Sequence, residues 1–107
     1  MNIPDIVKAY FDADRGHGPD ALAELFTTDA VVGDDGDRHE GIDAILAWWT
    51  AAKAKYNHVA EPIETACAGE TVVVRATVTG QFPSSPTVLE YTFAIKGDKI
   101  VALRIHQ

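Results

Sequence analysis

The chain has one cysteine, Cys67, so no intramolecular disulfide can form and no cysteine-based metal site is available. Basic residues are scarce: nine Lys and Arg stand against sixteen Asp and Glu, a net charge of −7. A protein that grips phosphate backbones needs a basic face, so nucleic acid and anionic membrane are disfavoured as partners. No apolar run is long enough to cross a bilayer, and Met1-Asn2-Ile3-Pro4-Asp5 has neither the basic nor the apolar region of a secretion signal. A cytoplasmic protein is expected. The four histidines, His17, His39, His58 and His106, form no HxxxH or similar pair. A metal could be held only by residues gathered from afar, and none is expected.

What is present reads as a globular fold. At 47% hydrophobic and 23% charged residues, 107 residues suffice to bury one core, and a single domain spanning 1–107 is expected. Pro4-Asp5 opens a first helix, because proline is tolerated in a first turn. Ile3, Ile6, Val7, Tyr10 and Phe11 fall on one helical stripe, and Arg15-Gly16-His17-Gly18 ends it. A second, short helix is predicted from Pro19 to Phe26. After Tyr56-Asn57 the pattern changes to strands: His58 to Cys67, Thr71 to Gly80, Thr87 to Lys96 and Lys99 to His106. Short turns at Ala68-Gly69-Glu70 and Gly97-Asp98, and a longer connection through Phe82-Pro83-Ser84-Ser85-Pro86, make these an antiparallel meander. Helices first and strands later imply an α+β fold.

Between the two halves lies Asp29 to Tyr56, DAVVGDDGDRHEGIDAILAWWTAAKAKY. Ala30-Val31-Val32 reads as a brief strand that runs into an acidic turn, Gly33 to Asp37. After Gly41 an amphipathic third helix places Ile42, Ile45, Trp49 and Tyr56 near helical spacing. Trp48 and Trp49 cannot share one helix face, so Trp49 is expected inward and Trp48 towards a neighbour. A carboxylate at a strand end beside an aromatic helix is a common way to build a desolvated acid/base group, though Asp34 can equally tighten the turn. Tyr10 can likewise be a core aromatic or a donor in a site. Cys67 reads as a small buried filler.

The order DAVV, acidic turn, EGIDAI resembles the nuclear transport factor 2-like superfamily over essentially the whole chain. Within it the sequence is most similar to the ketosteroid isomerase and SnoaL-like polyketide cyclase branches. The resemblance implies a cone-shaped fold, with three N-terminal helices packed on a curved, mostly antiparallel sheet. It also implies a cavity for a small molecule, with no cofactor. Residue by residue, it places Asp34 as the general base just after the first strand and Tyr10 as a donor to the developing oxyanion. Tyr91, before Phe93, stands where the isomerase has a protonated Asp, and its bulk reshapes the pocket. Phe26, Trp49 and Phe93 would supply apolar walls that disfavour the Asp34 anion, and Tyr56 would face the ligand. Read from the strand pattern, His58 and His106 can reach a pocket mouth as acid/base groups or be merely structural.

Arg75 poses a conflict. Val72, Val74, Ala76 and Val78 share one face of their strand; Val73, Arg75, Thr77 and Thr79 share the other. Hydrophobicity alone puts Arg75 outside. The resemblance implies a homodimer through the sheet's outer face, which would make the Val72 face the interface and turn Arg75 into the cavity. An epoxide hydrolase-like Asp-Arg-Asp arrangement is incomplete, because Thr77 occupies the partner position. The expected function is proton abstraction or isomerisation next to the carbonyl of a compact, partly apolar substrate. The alternatives are a SnoaL-like cyclase or epoxide hydrolase-like enzyme, and a non-catalytic ligand-binding or dimerisation domain.

Overall fold

A computed structural model describes residues 3–16, 18–34 and 36–107. Met1, Asn2, His17 and Asp35 lie outside the described residues, and with them the expectations that Asp35 shapes the turn and His17 the helix stop. Three helices, α1 (Asp5–Asp14), α2 (Gly18–Ala23) and α3 (Ile42–Tyr56), accompany six strands. The strands are β1 (Phe26–Asp34), β2 (Asp37–Glu40), β3 (Val59–Ala68), β4 (Thr71–Thr79), β5 (Thr87–Lys96) and β6 (Lys99–His106). They form one open sheet in the order β2-β1-β6-β5-β4-β3. All pairs are antiparallel except β1 with β6, so the α+β sheet is mixed.

Two elements differ from the sequence expectation. The first strand is nine residues long and begins at Phe26, which the helical stripe had claimed for α2. Thr27 and Thr28 are β-branched and favour extended backbone, and Phe26 itself pairs with Ile100 of β6. Asp37-Arg38-His39-Glu40, of which Asp37 was expected in the turn and the rest assigned to no element, folds back on β1 as an edge strand, pairing Asp34 with Asp37 and Val32 with His39. Gly36, at φ 83°, supplies the left-handed residue that this tight reversal requires.

α1 buries Val7, Tyr10 and Phe11 on its predicted stripe, and the same stripe continues to Ala13 and Asp14. β4 buries Val72, Val74, Ala76 and Val78 against the helix side of the sheet. That run is therefore core, and Arg75 is exposed on the outer face, 3.2 Å from Glu64 of β3. The strand's alternation was right as hydrophobicity read it. An inward Arg75 and an intersubunit Val72 face are both overturned, since four buried aliphatic positions contribute more by packing against helices than one paired arginine could recover there. Cys67 is exposed on the edge strand rather than buried. Among the described residues no helix is long and apolar enough to cross a membrane.

The chain runs from β4 into β5 by passing close under the end of α3. Gly80 is essential to that approach: a Cβ there would sit 2.8 Å from the Tyr56 carbonyl oxygen and 3.0 Å from Phe82. The Gln81 N–H donates to the same Tyr56 carbonyl at 2.7 Å, and the Tyr56 and Phe82 rings meet edge to face.

Candidate active site

Between the helices and the sheet lies a cavity whose inner chamber is bounded by Tyr10, Asp34, Trp48, Tyr56, His58 and Tyr91, with Leu89, Leu103 and Ile105 as apolar floor. It continues past His106 and Gln107 onto the outer sheet face, along Val31, Thr92, Ala94, Ala102 and Arg104. The two parts together enclose about 1070 Å³.

Asp34 ends β1 on the chamber side, in register with Ile105 of β6. Its Oδ2 accepts a hydrogen bond from Trp48 Nε1 at 2.9 Å, and the Trp48 ring lies against His39 with centroids 5.8 Å apart. The carboxylate is thus held from α3 and β2 while still lining open space. Trp48, not Trp49, is the indole at Asp34; Trp49 is inward as expected but packs in the core rather than walling that carboxylate. Position 49 faces the interior between α1 and α3, whereas position 48, 100° further round, faces the hairpin.

Tyr10 reaches the chamber from α1, while Tyr91 stands on the same sheet face as Asp34, with Ile105 of β6 between them. Tyr10 is embedded among Phe11, Phe26, Tyr91 and Phe93, with centroids 5.3 to 6.3 Å away. Burial, reinforced by the charge of Asp14, by Tyr91 and by Asp34, holds the Tyr10 hydroxyl well above its ordinary pKa. Burial and the same two carboxylates also raise Tyr91. Both phenols therefore stay protonated at any physiological pH and remain donors. Phe26 and Phe93 do not line the chamber; they are core rings that brace Tyr10. Tyr56 and His58 do line it, and Arg75 takes no part.

The residue that sequence reasoning missed is Asp14. It is 3% exposed and the only buried charged side chain among the described residues. Its Oδ1 accepts from Trp49 Nε1 at 2.8 Å, Lys53 Nζ stands 3.4 Å from Oδ2, and His58 Nε2 stands 3.7 Å from Oδ1. Burial pushes the carboxyl up, but His58, the indole N–H and the Lys53 charge outweigh it, so its pKa lies below the usual value. The signal was available: position 14 follows Val7, Tyr10 and Phe11 at spacings of seven, four and three, on the buried stripe.

The pattern of the SnoaL-like domain matches residues 7–103. The chain belongs to the SnoaL-like family. No curated protein matches it. Among solved structures, one from Sinorhizobium meliloti, provisionally assigned as a polyketide cyclase, is 52% identical; 97% of this chain aligns to 95% of that one with a TM-score of 0.95. A Catenulispora acidiphila protein with a ketosteroid isomerase-like fold, solved with trimethylamine, is 25% identical over 99% of this chain and 87% of its own, TM-score 0.87. A Sphaerobacter thermophilus protein is 28% identical over 96% and 94%, TM-score 0.81. The SnoaL-like and ketosteroid isomerase-like fold expected from the sequence is therefore established.

Proposed function

We propose that this SnoaL-like chain is a cofactor-independent acid–base enzyme acting on a compact, partly apolar carbonyl compound within a cone-shaped cavity. The observation that carries this reading is the Asp34 carboxylate, fixed by Trp48 at the rim of a chamber that two protonated phenols, Tyr10 and Tyr91, also line. Asp34 takes a proton from the carbon next to the carbonyl, and the developing enolate oxygen accepts hydrogen bonds from Tyr10 and Tyr91. Protonated Asp34 can then return its proton to a different carbon, which is isomerisation. The enolate can instead attack a second carbonyl in the same molecule, closing a ring. The provisional cyclase assignment of the 52% identical relative favours the second outcome.

A homodimer belongs to the same reading, now through the outer face that carries Val31, Thr92, Ala94 and Ala102, as does a cytoplasmic setting. The test is hydrogen exchange into the α-positions of cyclohexanone in D2O, followed by NMR. The native chain should accelerate it, and Asp34→Asn should lower the rate by about 10²–10⁴-fold. Tyr10→Phe should lower it further than Tyr56→Phe. An Asp34→Asn variant with native exchange would leave only a ligand-binding domain.

A further inference from the structure

Asp34, Tyr10 and Tyr91 suffice for isomerisation, because the base that removes a proton also returns it. Asp14 and His58 are left without a task. Asp14 has partners besides the histidine: Lys53 Nζ stands 3.4 Å from Oδ2, and the Trp49 N–H donates to Oδ1 at 2.8 Å. His58 nonetheless turns its Nε2 towards that oxygen at 3.7 Å, an ion-pair distance, and lines the chamber with a side chain that is 17% exposed. It stands at the head of β3, and Asp34 at the end of β1; β6, β5 and β4 lie between them in the sheet. The chamber thus has a proton-carrying group on each of two separate walls. Among the groups packed about His58, Asp14 and Lys53 cancel, so an imidazolium there would balance the charge of Asp34 across the cavity.

We propose that His58 is a general acid of this cavity, oriented by Asp14, and that the substrate is a β-hydroxy carbonyl compound that loses water. The proposal rests on Asp34 being the base. The Asp34 carboxylate removes the α-proton, and the C–H electron pair forms an enolate held by the phenols. The carbonyl then re-forms, the Cα=Cβ bond is made and the Cβ–O bond breaks. The departing oxygen takes a proton from Nδ1 of His58, the nitrogen not occupied by Asp14, and leaves as water. The products are an enone and water. The proton on Asp34 returns to His58 through solvent, so nothing is oxidised or reduced.

The probes are cyclohexanone, for α-exchange in D2O, and 3-hydroxycyclohexanone, for appearance of the conjugated enone. The native protein should process both. His58→Gln should lower dehydration by about 10²–10⁴-fold while exchange falls far less, and Asp34→Asn should lower both by about 10²–10⁴-fold. Equal losses of the two rates in His58→Gln, or native dehydration in that variant, would overturn the role of His58. So would a native protein that exchanges but does not dehydrate. A native protein that does neither would sink the Asp34 reading and this one with it. Long-range proton–nitrogen NMR of the unmodified protein supplies an independent readout: neutral His58 should carry its proton on Nε2, and an Nδ1–H form refutes the arrangement. In Asp14→Asn the two tautomers should mix; an unchanged tautomer removes Asp14 as the positioning residue.

Discussion

Replacing Asp14 by Asn tests the interior most sharply. The substitution preserves shape and keeps an oxygen for the Trp49 N–H, but it removes the anion paired with Lys53, whose side chain is 19% exposed. Breaking one member of a buried ion pair typically costs about 3–5 kcal/mol, because the remaining charge stays desolvated. Against a total stability of roughly 5–15 kcal/mol, that is a large fraction. At about 4 °C per kcal/mol for a domain of this size, the midpoint of thermal unfolding should fall by roughly 12–20 °C. The pH dependence has a definite sign. A carboxyl whose folded pKa lies below its unfolded value contributes stability that is fully present above the unfolded value near 4, and that contribution is lost as pH falls through the folded value. The native protein should therefore lose stability on acidification below about pH 4, and the variant should lose less over the same window. Urea denaturation at pH 7 and at pH 3.5 measures both effects. If Asp14→Asn costs under about 1 kcal/mol at pH 7, the carboxylate is not the buried, paired anion described here. A Lys53→Met change made on top of Asp14→Asn should recover part of the loss, since it removes the stranded cation.

Other substitutions separate the two indoles, the mouth and the outer face. Trp49→Ala should cost about 3–5 kcal/mol in urea denaturation, and Trp48→Ala clearly less while it impairs α-exchange through Asp34; equal stability losses would contradict their opposite placements. Gly80→Ala should destabilise by about 1–3 kcal/mol, because the new Cβ meets backbone rather than a flexible side chain, and thermal unfolding will show it. Sedimentation should find particles of twice 11.6 kDa, and Ala94→Arg on the outer face should return them to single chains; monomers in the native protein would rule out the dimer.

The meander was legible almost residue by residue, because β4 to β6 alternate on a period of two and their turns carry Gly69 and Gly97 at positive φ. β2 was not, because Asp37-Arg38-His39-Glu40 is polar throughout and owes its conformation to β1. Phe26 was misassigned for a related reason: an apolar residue three or four places after Leu22 fits a helix stripe as well as a strand start, and only the contact with β6 decides. In the site, Asp34, Tyr10 and Tyr91 were read onto positions that do face one cavity. Trp49 lies inward as expected, but it was not legible that Trp48 would be the indole at Asp34, because β2, against which Trp48 rests, was not read as a strand. Arg75 is the instructive failure: the alternation of β4 already put it outside, and an expectation borrowed from resemblance moved it in.

The position of β6 bears on how the molecule assembles. Late in the sequence yet central in the sheet, it joins the β1-β2 hairpin on one side to the β3-β4-β5 meander on the other. Asp34 belongs to the first piece and His58 to the second. Either piece can form its own local pairings early, but the spacing between the two acid/base groups does not exist until β6 docks against both. The chamber is thus a product of the final closure of the sheet, and any change that loosens β6 should erase the site before it unfolds the hairpin or the meander.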